Sequence, residues 1–526
     1  MAELPEVWKP KFNPWGIAVV VALAAFMEVL DTSIANVALP HMAGNLGASN
    51  DESTWVLTSY LVSNAIVLPI SGWLATTFGR KRFFLLCILL FTLTSLLCGL
   101  APTLGMLVFF RVIQGVGGGG LQPMAQAILA DTFPPEKRGA AFALYGVTAI
   151  MAPAIGPTLG GWLTDNYSWR WIFYINLPVG ILALFLVYRM VEDPPWLRNR
   201  SSAAVRVDFI GIAFLTLAVG ALQILLDKGQ EEDWFGSHFI TALAITSAVA
   251  FVCLIIWEWR HKAPVVDVRL FRNLNFAVSS LMMFSLGVLL FASLVMMPQY
   301  LQTLMGYTAE SAGLVLSGAS IVVLFEMPIV GNLTSKVPAK YIMAFGWLCL
   351  ALGMYYSTQR LDLQISFGSA ARMRIAQAFG LGFMFVPITL GAYVGMQPEK
   401  ANSVAGLINF MRNIGSSVGT SFVTTLLARR AQFHQAMLAS HTTNYDPQFR
   451  NLVAGLSSRL VHSGATPPDA KLQAYARAYQ AMQVQSSTLA YVDTFMVLAL
   501  AAALMFLLSF LVRSNNPRAG RPAIVE

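Results

Sequence analysis

Long apolar stretches separated by short polar ones repeat along almost the whole chain. Fourteen runs of roughly 18 residues or more are candidates to cross a bilayer as helices. They cover 15–38, 53–76, 83–101, 106–130, 140–163, 171–190, 208–226, 238–258, 275–298, 310–334, 341–357, 371–394, 401–425 and 491–512, the eleventh being short. This pattern predicts an all-α membrane protein of fourteen spans. The stretch 427–490 is too polar to cross and is expected to stand apart, outside the membrane. Within it, PPDAKLQAYARAYQAMQ (467–483) opens on two prolines and an aspartate cap. It places Leu472, Tyr475, Tyr479 and Met482 on one face of an amphipathic helix.

Composition agrees with lipid as the solvent. Of 526 residues, 56% are hydrophobic and 11% charged, against about 25% charged in an ordinary soluble domain. The net charge of +8 is unevenly spread. With the N-terminus inside, one set of loops holds Lys9, Lys11, Arg80, Lys81, Arg82, Lys137, Arg138, Arg189, Arg198, Arg200, Arg206, Arg260, Lys262, Arg269, Arg272, Lys336, Lys340, Lys400, Arg513, Arg518 and Arg521. The opposite loops hold Arg170, Lys228 and Arg360. Loops rich in Lys and Arg stay cytoplasmic, so both termini are expected inside and the positive charge reports topology. Nucleic-acid binding is a poor explanation of it. Lys9 and Lys11 lead into a run too long for a cleavable signal peptide. Cys87, Cys98, Cys253 and Cys349 fall singly in spans without metal or redox spacing.

An internal repeat divides the chain. Pro135-Glu136-Lys137 recurs as Pro398-Glu399-Lys400, Arg111-x-x-Gln114 as Arg374-x-x-Gln377, and Gly156 as Gly419, all displaced by 263 residues. Pro69-Ile70-x-Gly72-x-Leu74 matches Pro328-Ile329-x-Gly331-x-Leu333 at 259. The expected organisation is a six-helix half over 1–190, a linker with two extra spans over 191–274, and a second six-helix half over 275–526 that includes the segment 427–490. Parallel repeats of this kind are a transporter plan, with the substrate path at their interface.

Within the apolar runs a few ionisable groups stand out. Each costs roughly 3 kcal/mol or more at mid-membrane and is retained mainly where it lines a cavity or finds a partner. Glu28, near the middle of the first span, and Asp31, one turn outward, share a helix face. Either they exchange protons or they are fixed structural groups. Arg111, near the outer end of span four, is placed to approach Asp31, as a switch or as a fixed ion pair. Glu326 and Arg412 lie at equal depth in spans ten and thirteen, which makes a pair possible and Glu326 a second protonation or cation site. Arg374, near the end of its span, is expected to snorkel. Gly115, Gly117, Gly118, Gly119 and Gly120 give span four a smooth face for close helix approach; they form no phosphate loop. Pro157 with Gly156, Gly160 and Gly161 permits span five to bend.

Several stretches carry a resemblance to a known family. GWLATTFGRKR (72–82) resembles the loop signature of the major facilitator superfamily; its members here are Gly72, Gly79, Arg80, Lys81 and Arg82. LVFFRVIQGVGGGG (107–120), with Arg111, Gln114 and Gly115, resembles the fourth-span motif, and APAIGPTLGG (152–161) the antiporter motif of span five. LDTSIANVALP (30–40), WRWIFYINLPVG (169–180) and PVVDVRLFRNLNF (264–276) are similar to segments of the fourteen-span drug:proton antiporters, nearest the Emr type. One position departs: where the loop signature has an aspartate that helps latch the cytoplasmic side, this chain has Thr76.

The resemblance implies a proton-coupled exporter of small hydrophobic drugs in the bacterial inner membrane. It implies work with a periplasmic adaptor (membrane fusion) protein and, through it, an outer-membrane channel. The expected proton carriers are Asp31 and Glu28, with Arg111, Glu326 and Arg412 assisting. Met27 and Asn36 are substrate-contact candidates, Asn36 also suiting helix packing. Met suits promiscuous hydrophobic sites, and acids are as admissible as cations among the substrates. No cofactor, metal or nucleic acid is expected, the proton gradient being the driving force. No nucleophile or His/Asp/Glu cluster suggests an enzyme. An uptake porter of the same fold and a non-transporting receptor or scaffold are the alternative readings.

Overall fold

The computed structural model describes residues 10–194, 208–262, 264–440, 442–443 and 445–512. Lys9, Arg198, Arg200, Arg206, Arg513, Arg518 and Arg521, which enter the charge asymmetry, lie outside them. Helices stand at all fourteen apolar runs. They are α1 (Pro14–Leu46), α2 (Trp55–Phe78), α3 (Arg80–Leu100), α4 (Leu104–Thr132), α5 (Pro135–Asn166) and α6 (Trp171–Met190). There follow α7 (Phe209–Lys228), α8 (His238–Arg260), α9 (Leu274–Thr303), α10 (Ala309–Leu333), α11 (Ala339–Arg360), α12 (Phe367–Ala392) and α13 (Ala401–Ala439). Pro447–His462 forms α14, and Pro467–Leu508 forms α15.

By length and apolarity, 11 of these helices suffice to cross a membrane, or 12 if the bent α5 counts as one span. Helices α11 and α13 fall below that apolarity. In α13 the reason is visible: Asn402, Asn409, Arg412 and Asn413 face protein and not lipid, because α13 packs against α2, α4 and α9.

Helices α1–α6 pack on one another, and so do α9–α13 with α15. The two groups meet along two seams, α5 against α10 and α2 against α13, while α7 and α8 pair with each other and lean on α2 and α13 through α7. Small residues make the seams close. A Cβ on Gly72 would lie 2.7 Å from the Ser403 backbone, and one on Gly331 2.9 Å from Ala140 Cα. Thr76, where the loop signature carries its latch acid, bonds among the described residues only back to Gly72 and Trp73 carbonyls of its own helix. At that basic end Arg80 instead pairs with Asp131 of α4 at 2.5 Å and donates to the Ala127 carbonyl at 3.0 Å. Lys81 reaches the Tyr188 carbonyl at 2.7 Å, and Arg82 is exposed.

The segment 427–490 is not a separate body. Helix α13 continues unbroken to Ala439 and α15 begins at Pro467, so two helices of 39 and 42 residues run out of the membrane. At 1.5 Å per residue each is about 60 Å long, roughly twice a bilayer core. Arg430 and His434 of α13 hold Asp493 of α15 at 2.5 and 2.6 Å. The amphipathic face is only partly the one expected: Tyr475 packs on α14, its ring 6.0 Å from Phe449, and Met482 is half-buried. Ala470 and Ala474 are fully buried with Val453 and Leu460 of α14, whereas Leu472 is 72% and Tyr479 51% exposed. Alanine lets two thin helices approach closely, and that close approach outweighs the larger side chains on the other faces. Replacing Ala474 by Leu is expected to overpack this contact at a cost of about 1–3 kcal/mol. Limited proteolysis should then cut the α14 hairpin several-fold faster while the transmembrane part keeps its melting temperature.

Candidate functional site

Two buried polar clusters branch from α1, one turn apart. At the first, Asp31 is 2% and Arg111 0% exposed. Arg111 Nη1 meets Asp31 Oδ2 at 2.6 Å and also donates to Gln114 Oε1 at 2.8 Å, while Arg111 Nε donates to the Val56 carbonyl at 3.1 Å. The other carboxylate oxygen accepts from Asn176 Nδ2 at 2.6 Å and Gln114 Nε2 at 3.3 Å. Asn176 is in turn bonded to Ser95 of α3 at 3.0 Å. The guanidinium lies over the Tyr60 ring, 4.2 Å from its centroid. Five helices therefore contribute to one ion pair. Such a pair is strongly held because the low dielectric strengthens each bond and the carboxylate's lone pairs are filled.

At the second cluster, Glu28 accepts from Tyr60 Oη at 3.1 Å, Asn64 Nδ2 at 3.1 Å and Gln122 Nε2. Tyr60 thus serves both clusters, its hydroxyl on Glu28 and its ring under Arg111. Gln122 passes the connection on: its Oε1 accepts from Tyr145 Oη at 3.1 Å and from Arg412 of α13. One turn along, Asn409 Nδ2 donates to Gln126 Oε1 at 2.9 Å. Tyr145 stacks on Phe385 at 6.0 Å, and Arg412 lies 5.8 Å from the same ring. Glu28 is therefore linked, through one glutamine, to a cation on the opposite side of the seam.

The expected pairing of Arg412 with Glu326 does not form. Glu326 accepts backbone N–H bonds from Gly380 (2.9 Å) and Gly382 (3.1 Å). Helix α12 breaks there, Gly380 taking φ +109°, a conformation open to glycine and costly for other residues. The break exposes the N-terminal amides of Leu381–Ala392, and a carboxylate is the natural partner of such amides. Arg412 meanwhile points across the seam toward α4. Arg374 does not snorkel either: it is 3% exposed, inside the second helix group.

The motif glycines are close-approach positions. A Cβ on Gly115, Gly118 or Gly119 would strike α2, and on Gly117 or Gly120 it would strike α3. Helix α4 is thus embraced on two sides, where one smooth face was expected. Gly79 has φ +86° at the turn into α3. Gly156 and Gly160 press on Ser33 and Ile34 of α1, while Gly161 has its nearest neighbour 3.9 Å away. Pro157 lacks an N–H, which leaves the Pro153 carbonyl without its helical donor; Ser33 Oγ supplies one at 3.0 Å. The two parts of α5 diverge by 43° there. Met27 is buried in the core, and Asn36 is exposed on α1.

Sequence reading missed Tyr60, Asn64, Gln122, Tyr145, Asn176 and Asn409. Gln114, Gln122 and Gln126, spaced by eight and four within one apolar run, carried a signal, since polar groups on one face of a span need partners. Tyrosine, ordinary in membrane helices, carried none.

Repeated helix groups meeting around buried charges linked across their seam define a secondary transporter of two-repeat design. The chain belongs to the Major Facilitator Superfamily, whose model matches residues 21–420. It is 38% identical over 440 residues to the multidrug export protein EmrB of Escherichia coli (strain K12), covering 84% of this chain and 85% of that protein. It is equally 38% identical, over 450 residues, to the fatty acid resistance protein FarB of Neisseria gonorrhoeae, covering 85% and 87%. Among solved structures, the proton:xylose symporter XylE superposes with a TM-score of 0.61 at 14% identity over 96% of this chain and 97% of that one. At that identity the likeness is one of fold.

Proposed function

We propose that this chain is a multidrug exporter of the EmrB type that exchanges hydrophobic, drug-like molecules for protons across the bacterial inner membrane, with both termini in the cytoplasm. The relatives named as multidrug export proteins support the export reading. The observation that carries proton coupling is the chain of contacts from Glu28 through Gln122 to Arg412, beside the Asp31–Arg111 pair.

In this reading each carboxylate trades a proton for its bonds. Protonating Asp31 leaves Arg111 with the Val56 carbonyl and Gln114 as neutral acceptors, so α1, α4 and α6 lose the charge that clamps them. Protonating Glu28 removes a negative charge facing Arg412 and weakens the tie between α4 and α13. Protons arriving from the outer side would thus loosen one arrangement of the seam, and their release inward would restore it. The drug binds between the two helix groups, near Tyr145, Phe385 and Arg412. The extension formed by α13, α14 and α15, with Leu472 and Tyr479 exposed, is the surface for a periplasmic adaptor leading to an outer-membrane channel.

The test uses the full chain in liposomes under an imposed pH gradient, with a panel of lipophilic cations and acids. Substrate moving against the proton flux is the expected result. Movement with the protons would make the chain an uptake porter. Neither movement nor binding of any compound would return the scaffold reading.

A further inference from the structure

The internal repeat extends to the side chains around Asp31. Ser95, Arg111 and Gln114 have counterparts in Ser357, Arg374 and Gln377, displaced by 262 or 263 residues, and the counterpart of Asp31 at the same displacement is Ser293. The folded chain brings this second set together as it does the first. Arg374 Nη1 donates to Ser293 Oγ at 3.0 Å and to Gln377 Oε1 at 3.2 Å, and Gln377 Nε2 donates to Ser357 Oγ at 2.8 Å. The arrangement repeats the arginine–glutamine pair of the first group, with a serine where the first has its acid.

The removal leaves a charge unbalanced. Arg374 is 3% exposed, and among the described residues no carboxylate lies within ion-pairing distance of it. Its Nε is buried without an acceptor. Ser293 offers a lone pair, its hydroxyl proton going to the Leu290 carbonyl at 2.9 Å, but a hydroxyl carries no charge. A guanidinium in a membrane interior without a counter-charge is among the most costly arrangements a protein can hold. Arginine does not escape by losing its proton. The cage has donors to spare and lacks an acceptor of negative charge.

We infer that Arg374 binds a small monovalent anion of the halide type, which supplies beside Nε the negative charge that the Asp31 carboxylate supplies in the first copy. The ligand is held by the guanidinium N–H groups, Nε included, between α9 and α12. It neutralises the second helix group, whereas the first carries its own titratable acid. One copy of the cage is thereby proton-sensitive and the other anion-sensitive, and the two need not respond to the same signal.

The experiment is a melting-temperature titration of the purified full chain, exchanging gluconate for chloride at constant ionic strength. Wild type is expected to gain about 2–4 °C in a saturable manner, as a ligand that binds only the folded state requires. Ser293→Asp supplies the missing carboxylate. It should melt at least as high as the chloride-loaded wild type and show no chloride response. A parallel gain in wild type and Ser293→Asp would mark a general salt effect and overturn the inference, as would a wild type indifferent to chloride. If Ser293→Asp does not fold, Arg374→Gln decides: loss of the chloride response supports the site and its retention refutes it. Replacing chloride by bromide provides an anomalous scatterer, which should appear beside Arg374 Nε and nowhere else in the second helix group.

Discussion

Asp31→Asn is expected to abolish proton-driven export, and Asp31→Ala to compromise the fold as well. The two substitutions separate charge from shape. Asparagine keeps an oxygen where Asn176 and Gln114 donate, so the packing of α1, α4 and α6 survives in outline. It cannot take up a proton, and it leaves Arg111, which is fully buried, without a counter-charge. Removing one partner of a buried ion pair costs about 3–5 kcal/mol; alanine adds a void and unfilled donors to that loss. Adding Arg111→Gln to Asp31→Asn removes the stranded cation, so the double variant should recover most of the lost melting temperature. It should recover no transport, since Glu28 remains but the proton-dependent clamp between α1, α4 and α6 is gone. Paired measurements of melting in detergent and pH-driven flux in liposomes read both quantities. Flux near the wild-type rate in Asp31→Asn would remove Asp31 from the coupling mechanism.

Gly72→Ala should stall the transport cycle without unfolding the chain. A Cβ at residue 72 would stand 2.7 Å from both the Cα and the N of Ser403 and 2.9 Å from the Asn402 carbonyl carbon. These are backbone atoms of α13, so no side-chain rotation relieves the contact and the helices must part. Overpacking costs about 1–3 kcal/mol. Here it falls on the state in which the basic ends of α2 and α13 are together, and a state opened at that end escapes it. Each 1.4 kcal/mol shifts such an equilibrium about tenfold. Export should fall by roughly that factor, while a thiol placed by Ser403→Cys, in a chain with the four native cysteines replaced, should label about tenfold faster. Unchanged labelling and unchanged flux would mean that the seam does not open at this end.

The contrast between these two positions shows where sequence reading stops. Asp31 was conspicuous because an acid in an apolar run is expensive wherever the helix lies, and that cost is local to the sequence. Arg111, one residue type in a recognisable spacing, could be placed at the right depth to meet it. The pairing of Glu326 with Arg412 rested on depth alone. Depth leaves the azimuth of each helix open, and here Glu326 turns toward the broken α12 while Arg412 turns toward Gln122. Position along a span suggests the lipid edge for Arg374 but says nothing of what packs around it, and it is buried.

The solvent, the helices at the fourteen apolar runs, the repeat and the identity of the expensive groups are all legible in the residues alone. Each of these follows from periodicity or from the cost of placing a group in lipid, and neither depends on neighbours distant in the chain. That Tyr60 serves two clusters, and that Gln122 carries the link to Arg412, emerges once the helices are packed. The packed structure also shows the polar segment after α13 continuing the two long helices. Those outcomes depend on which faces of separate helices meet. In lipid that choice is made by small side chains and by the need of every buried polar group for a partner, a condition the whole assembly must satisfy at once.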